Sequence, residues 1–317
     1  MRHEFTREQY EALLLRYRNW GRWGPEDEIG TANLVDAASV ARAAALVRTG
    51  KVYSLALPFD RNGPQTGRGR TGRVNIQHYM ARDGGDIAAD AGDLPHFDGT
   101  DDLVQLYLQA GTQWDALAHV FWGTEMYNAR TTADVTSAGA AHNAVTGLAD
   151  RAVGRGVLLD VARWSGVDWL EPGHAIDTDD LERCAAAHGV EVGPGDFVLI
   201  RTGQLAQVRA RGAWEDYAGG DAPGLSVDAA HFLCGRDVAA VACDTWGLDV
   251  RPHESGLVAP LHVVLLVNAG IHIGEMWDLE VLAADCAADG RYDFFLSAPP
   301  LTITGAVGSP LNPIAVR

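Results

Sequence analysis

The feature that most constrains this chain is the alternation of short apolar runs with helix-patterned segments through its second half. RGVLLDVA (155–162), DFVLIRTG (196–203), DVAAVACDT (237–245) and AGIHIGEM (269–276) have strand length and strand composition. Between them lie helical patterns: 177–188 with Asp177 or Thr178 as its cap, 227–235, and the apolar 261–269. Such interleaving specifies an α/β protein. Residues 279–289 read as a further helix, and YDFFLSAPPLTITG (292–305) as two strands broken by Pro299 and Pro300.

The first half is less regular. Residues 4–18 carry helical periodicity through Phe5, Tyr10, Leu13, Leu14 and Tyr17. A second helix is expected over 36–47, capped by Asp36 with Gly50 just past its end, followed by the strand VYSLALP (52–58). Residues 59–101 show no period, and they hold His78, Tyr79, His96 and Phe97. Long irregular segments in compact domains are usually functional or disordered, and these aromatics and histidines favour loops over a site. DLVQLYLQ (102–109) is strand-like. With no repeat and no linker, the expectation is an N-terminal helical extension, 1–50, on one compact unit, 51–317.

Charge narrows the partners. The chain has 42 acidic and 25 basic residues, a net charge of -17. Nucleic acid and anionic membranes repel such a surface, so neither is an expected partner, and a small-molecule substrate is. The four cysteines (Cys184, Cys234, Cys243, Cys286) are not at CxxC spacing, which argues against a cysteine zinc site. No apolar h-region opens the chain and no apolar stretch reaches membrane-spanning length, so a reduced, cytoplasmic setting is expected.

The chemistry concentrates in QAGTQWDALAH (109–119). On an extended stretch, residues two apart share a face, so Gln109, Gln113, Asp115 and His119 are expected to converge. A carboxylate and an imidazole at this spacing suit a metal ligand and a general base. Taken alone, Asp-x-x-x-His is a common pattern, and titratable groups also serve structural networks.

This stretch resembles the signature H-x-G-T-H-x-D-x-P-x-H of the metal-dependent cyclase family, which includes bacterial kynurenine formamidase and isatin hydrolase. RWGPEDEIGTANLVD, RGVLLDVA, GDFVLIRTG, VAAVACDTW, PLHVVLLVNAGIHIGEMWDLE and GSPLNPIAV resemble the family's longer branch. The resemblance implies a kynurenine formamidase-like swivelling β/β/α fold, with a mixed central sheet and flanking helices. It implies metal ligation by Asp115, His262 and Glu275, and an acid/base role for His119. Gln109 and Gln113 stand where the family has two metal-binding histidines. Amide oxygens are neutral, weaker donors, so one metal position should be weakened or lost. The expectation is one divalent ion, Mn²⁺ or Zn²⁺, with Gln113 and Gln109 as further ligands. The alternative is a metal-free site in which the glutamines only form hydrogen bonds. Because family members are often oligomeric, a homo-oligomer, dimer or tetramer, is expected.

The implied activity is metal-assisted hydrolysis of a small cyclic or aromatic amide, lactam or lactone. A non-hydrolytic cyclase or dehydratase in natural-product biosynthesis is the alternative, and a catalytically silent binding protein a third reading. Trp114, Phe121, His142 and Trp246 are candidate substrate contacts; packing, or for His142 a solvated loop, is the plainer reading of each. His272 is expected to be structural, and Asp244 either orients a site group or caps a turn.

Overall fold

The computed structural model describes residues 4–68, 72–92 and 97–317, and His96 lies outside them. The apolar runs assemble into one nine-stranded sheet. Its strands in chain order are β1 (Val52–Ser54), β2 (Gln113–Asp115), β3 (Val153–Asp160), β4 (Phe197–Arg201), β5 (Ala240–Cys243), β6 (His272–Glu275), β7 (Asp293–Ser297), β8 (Gly308–Pro310) and β9 (Ile314–Val316). Across the sheet the order is β1-β9-β7-β3-β4-β5-β6-β2-β8. The four central strands β3 to β6 run parallel, and every other pairing is antiparallel. The sheet is therefore mixed, with helices crossing between its parallel strands. These central strands are buried along nearly their whole length, as a sheet covered on both faces requires.

The sheet is strongly curled. β8 and β9 lie near its opposite ends, yet only residues 311–313 connect them. Laid flat, strands that far apart in the order would be separated by about 34 Å. The link from Pro310 to Ile314 spans at most about 14 Å.

Helices 178–188 and 230–235 cover one face, with Leu181, Cys184, Phe232 and Leu233 in the core. Asp177 caps the first of these through Asp180 N, and Gly189, in the left-handed region, ends it. Helices 37–44 and 280–289 carry Ala43, Leu282, Ala283 and Cys286 into burial. All four cysteines are free, and three, Cys243 among them, are buried. Tyr10 and Leu14 of the helix Arg7–Arg16 enter the main core, and Tyr10 Oη donates to Pro260 O at 2.6 Å. No helix among the described residues is long and apolar enough to cross a membrane.

Several expectations are corrected. The segment 59–101 contains regular structure: strands Gln77–Arg82 and Asp101–Gln105 pair as a two-stranded ribbon, beside a helix Gly84–Asp90. Both ribbon strands are mostly exposed, so they lack the alternating burial that sequence patterning detects. DLVQLYLQ stops being a strand at Gln105 and turns before β2. Residues 263–269 wind as a π-helix that continues from a short α-turn at Pro260–His262. LTITG after Pro300 is irregular, and the final strands form instead at 308–310 and 314–316.

Candidate functional site

β2 is only three residues long, but it is wedged between β6 and β8. Gln113 and Asp115 share one face of β2, and Gln113 pairs in register with Glu275 on β6. Tight packing beneath holds this register. A Cβ on Gly274 would lie within 2.8 Å of Ala242, Trp114 and Trp277. Trp277 Nε1 donates to Gln113 O at 3.2 Å, and Thr112 Oγ1 donates to Met276 O at 2.6 Å.

His262 reaches the same point from the helical side. Asp249 fixes it twice: Oδ1 accepts from Leu261 N at 2.7 Å, and Oδ2 lies 2.5 Å from His262 Nδ1. Nε2 therefore faces the carboxylates, 3.1 Å from Glu275 Oε1 and 3.9 Å from Asp115 Oδ2. Donor atoms of Asp115, His262 and Glu275 all lie within 4.8 Å of one another, and all three residues are buried.

The electrostatics of this cluster favour a cation. Burial, then the Glu275 charge, raises the Asp115 carboxyl well above the ordinary carboxylate range. Burial alone would lower His262, but Asp249 and Glu275 raise it well above its ordinary value. An imidazolium proton thus partly neutralises a surplus of buried negative charge, the task a divalent ion performs better. Gln113 Nε2 donates to Glu275 Oε2 at 2.7 Å and lies 3.4 Å from Asp115 Oδ1, while its Oε1 is buried without a partner. An orphaned amide oxygen at a carboxylate cluster is a further donor for a cation. The residues present fit one divalent ion held by Asp115, His262 and Glu275.

His119 follows β2 in a turn, its Nε2 3.7 Å from Asp115 Oδ1. Burial, then the charges of Arg73 and His262, pushes its pKa down to about 3, so the ring is neutral. With Arg73, Trp246, Arg251, His253 and the ligand cluster, it lines a cavity of about 260 Å³. A larger groove of about 630 Å³, beside Glu182 and Phe232, contains no comparable set of ligands.

The structure thus brings together Asp115, His119, His262, Glu275, Gln113 and Trp246. The remaining candidates are placed as follows. Gln109 precedes β2 in the turn instead of lying on the strand. Its amide packs over Gly308, the residue paired with Asp115, and its Nε2 has no hydrogen-bond partner. Trp114 is wholly buried, stacked edge-on to Trp277 with Nε1 bonded to Ala298 O. Phe121 packs in a small satellite cluster with Ala118 and Met126. His142 Nδ1 lies 2.6 Å from Glu28 Oε1, away from the cavity lining. His78 pairs with Asp102 on the exposed ribbon. His272 is buried on β6, and burial pushes its pKa down to about 3. Asp244 accepts from Thr202 N and Gly203 N, securing the turn after β4. Sequence reasoning missed Asp249, Arg73 and Arg251, because no local pattern links them to the motif.

The Cyclase family profile matches residues 53–250. A crystal structure described as a novel cyclase is 38% identical, with a TM-score of 0.85, covering 95% of this chain and 100% of its own. Isatin hydrolase A from Labrenzia aggregata, solved with benzyl benzoate, is 21% identical with a TM-score of 0.59, covering 88% and 96%. A protein from Bacillus stearothermophilus described as a predicted metal-dependent hydrolase is 19% identical with a TM-score of 0.54, covering 84% and 98%. No curated protein sequence matches the chain.

Proposed function

Because this chain belongs to the Cyclase family, we propose that it is a metal-dependent hydrolase of a small cyclic or aromatic amide, lactam or lactone. The observation that carries the reading is the buried Asp115–His262–Glu275 cluster with neutral His119 beside it in one cavity. Asp115, His262 and Glu275 would hold the ion, and Asp249 fixes the ring of His262 through Nδ1, leaving Nε2 on the carboxylate side. When bound, such an ion would supply Lewis-acid polarisation of a carbonyl and acidify water.

The chain's own groups do the rest. His119 accepts a proton as water oxygen adds to the carbonyl carbon. As the C–N or C–O bond breaks, His119 returns that proton to the departing nitrogen or oxygen. Trp246 offers an aromatic wall, and a 260 Å³ cavity suits a ligand of one or two rings better than a peptide.

Turnover in ¹⁸O-labelled water tests the reading. One labelled oxygen in the product is expected. Turnover without label would replace hydrolysis by ring closure or dehydration, and full activity in stably metal-free protein would overturn the metal's role.

A further inference from the structure

The cavity is lined by groups of both charges. Its acidic lining is Asp115, Glu275 and Asp249; its basic lining includes Arg73 and Arg251, both close to the Trp246 ring. The guanidinium carbons of Arg73 and Arg251 lie 5.8 and 5.5 Å from the centroid of that ring. Neither has a carboxylate partner among the described residues. Arg73 only approaches Gln109 O at 3.5 Å, and Arg251 donates to Gly219 O at 2.7 Å. Other arginines are treated differently: half-buried Arg155 and buried Arg201 and Arg317 each hold two carboxylates.

In a chain of net charge -17, two cavity-lining arginines that close no ion pair leave their guanidinium groups available to an anionic ligand. Guanidinium groups match carboxylates in shape and charge, and an indole face beside them accepts a flat ring. We propose that the cavity selects an anionic aromatic substrate, its carboxylate held by Arg73 and Arg251 beside Trp246 and its reacting carbonyl turned toward Asp115, His262 and Glu275. The orientation of the carbonyl rests on the hydrolase reading; the anion site does not. It also gives the acidic protein a local means of attracting a ligand that its surface repels.

Calorimetric titration of the purified, metal-loaded protein with benzoate and with its neutral analogue benzamide tests this. Benzoate is expected to bind at least tenfold more tightly. Arg73→Gln and Arg251→Gln should each remove most of that preference, and Arg73→Lys, which keeps the charge, should retain part of it. Near-ultraviolet circular dichroism identifies any variant that has not folded, and Arg73→Lys against Arg73→Gln then carries the comparison. Equal affinity for the two probes would overturn the proposal. So would a benzoate preference that survives both glutamine substitutions, since the metal end would then be binding the carboxylate. A clear preference in a protein that hydrolyses no amide, ester or lactone would leave the anion site standing and remove the hydrolase reading. Hydrolysis without any preference would do the reverse.

Discussion

Asp249 holds His262 by both of its oxygens, one on the ring Nδ1 and one on the amide of the preceding residue, Leu261. The side chain that orients the imidazole therefore also anchors the backbone that presents it. Asp249→Asn is expected to weaken metal binding about 10- to 100-fold, the usual effect of losing such a partner. Competition with a chromophoric chelator measures this, and unchanged affinity would reject the role of Asp249.

His119 touches the cluster without belonging to it. His119→Ala should lower kcat by about 10²- to 10⁴-fold, the range for loss of a positioned acid/base. Elemental analysis should find the same metal content as in the unaltered protein. Loss of metal along with activity would reassign His119 as a ligand.

Glu275 raises the Asp115 carboxyl by repulsion, on top of burial. Glu275→Gln should therefore melt at a higher temperature than the unaltered protein when both are metal-free. With metal, the order should reverse: the unaltered protein gains about 2.7 kcal/mol at a hundredfold excess of metal over Kd, and the variant gains little. Calorimetric melts with and without Mn²⁺ check both halves.

Gly274 has no room for a side chain, because Ala242, Trp114 and Trp277 enclose its α-carbon. Gly274→Ala is expected to cost about 1–3 kcal/mol, the range for overpacking a core. It should also displace β6 relative to β2 and so weaken metal binding. Urea unfolding gives the first quantity, and the chelator assay the second.

Asp285 bonds to Lys51, Tyr53 and Arg317, and these hold its carboxyl down to about 2. Its folded-state pKa lies below its ordinary value of 3.8, so its contribution to stability is complete above that value. The contribution disappears as pH falls from about 4 toward 2. Asp285→Asn should flatten the acid limb of stability against pH in that window, as read from thermal melts in graded buffers. An unchanged slope would show that Asp285 gains nothing from these partners.

The central fold is legible in the sequence because β3 to β6 are buried, continuous apolar runs whose period and length leave little choice. The ribbon at 77–82 and 101–105 is not, since exposed strands carry no burial pattern. At the site, Asp115, His119, His262 and Glu275 are recognisable from the family resemblance. Asp249 is not, because its role depends on a turn that brings it back to His262 thirteen positions later. Gln109 is not placed by sequence for a related reason: alternation along a strand says nothing about a residue in the turn before it.

The three-residue link between β8 and β9 has a consequence for the order in which the protein assembles. Gln113 and Asp115 are paired on one side by β8, about two hundred residues further along the chain, a separation that makes the pairing slow to form. During synthesis, the strand carrying Asp115 remains an unprotected edge until residues 308–310 emerge, and the three residues after them lead to β9 near the far end of the sheet. The strand that flanks Asp115 and the strand that extends the other side of the sheet are thus added by the same late event.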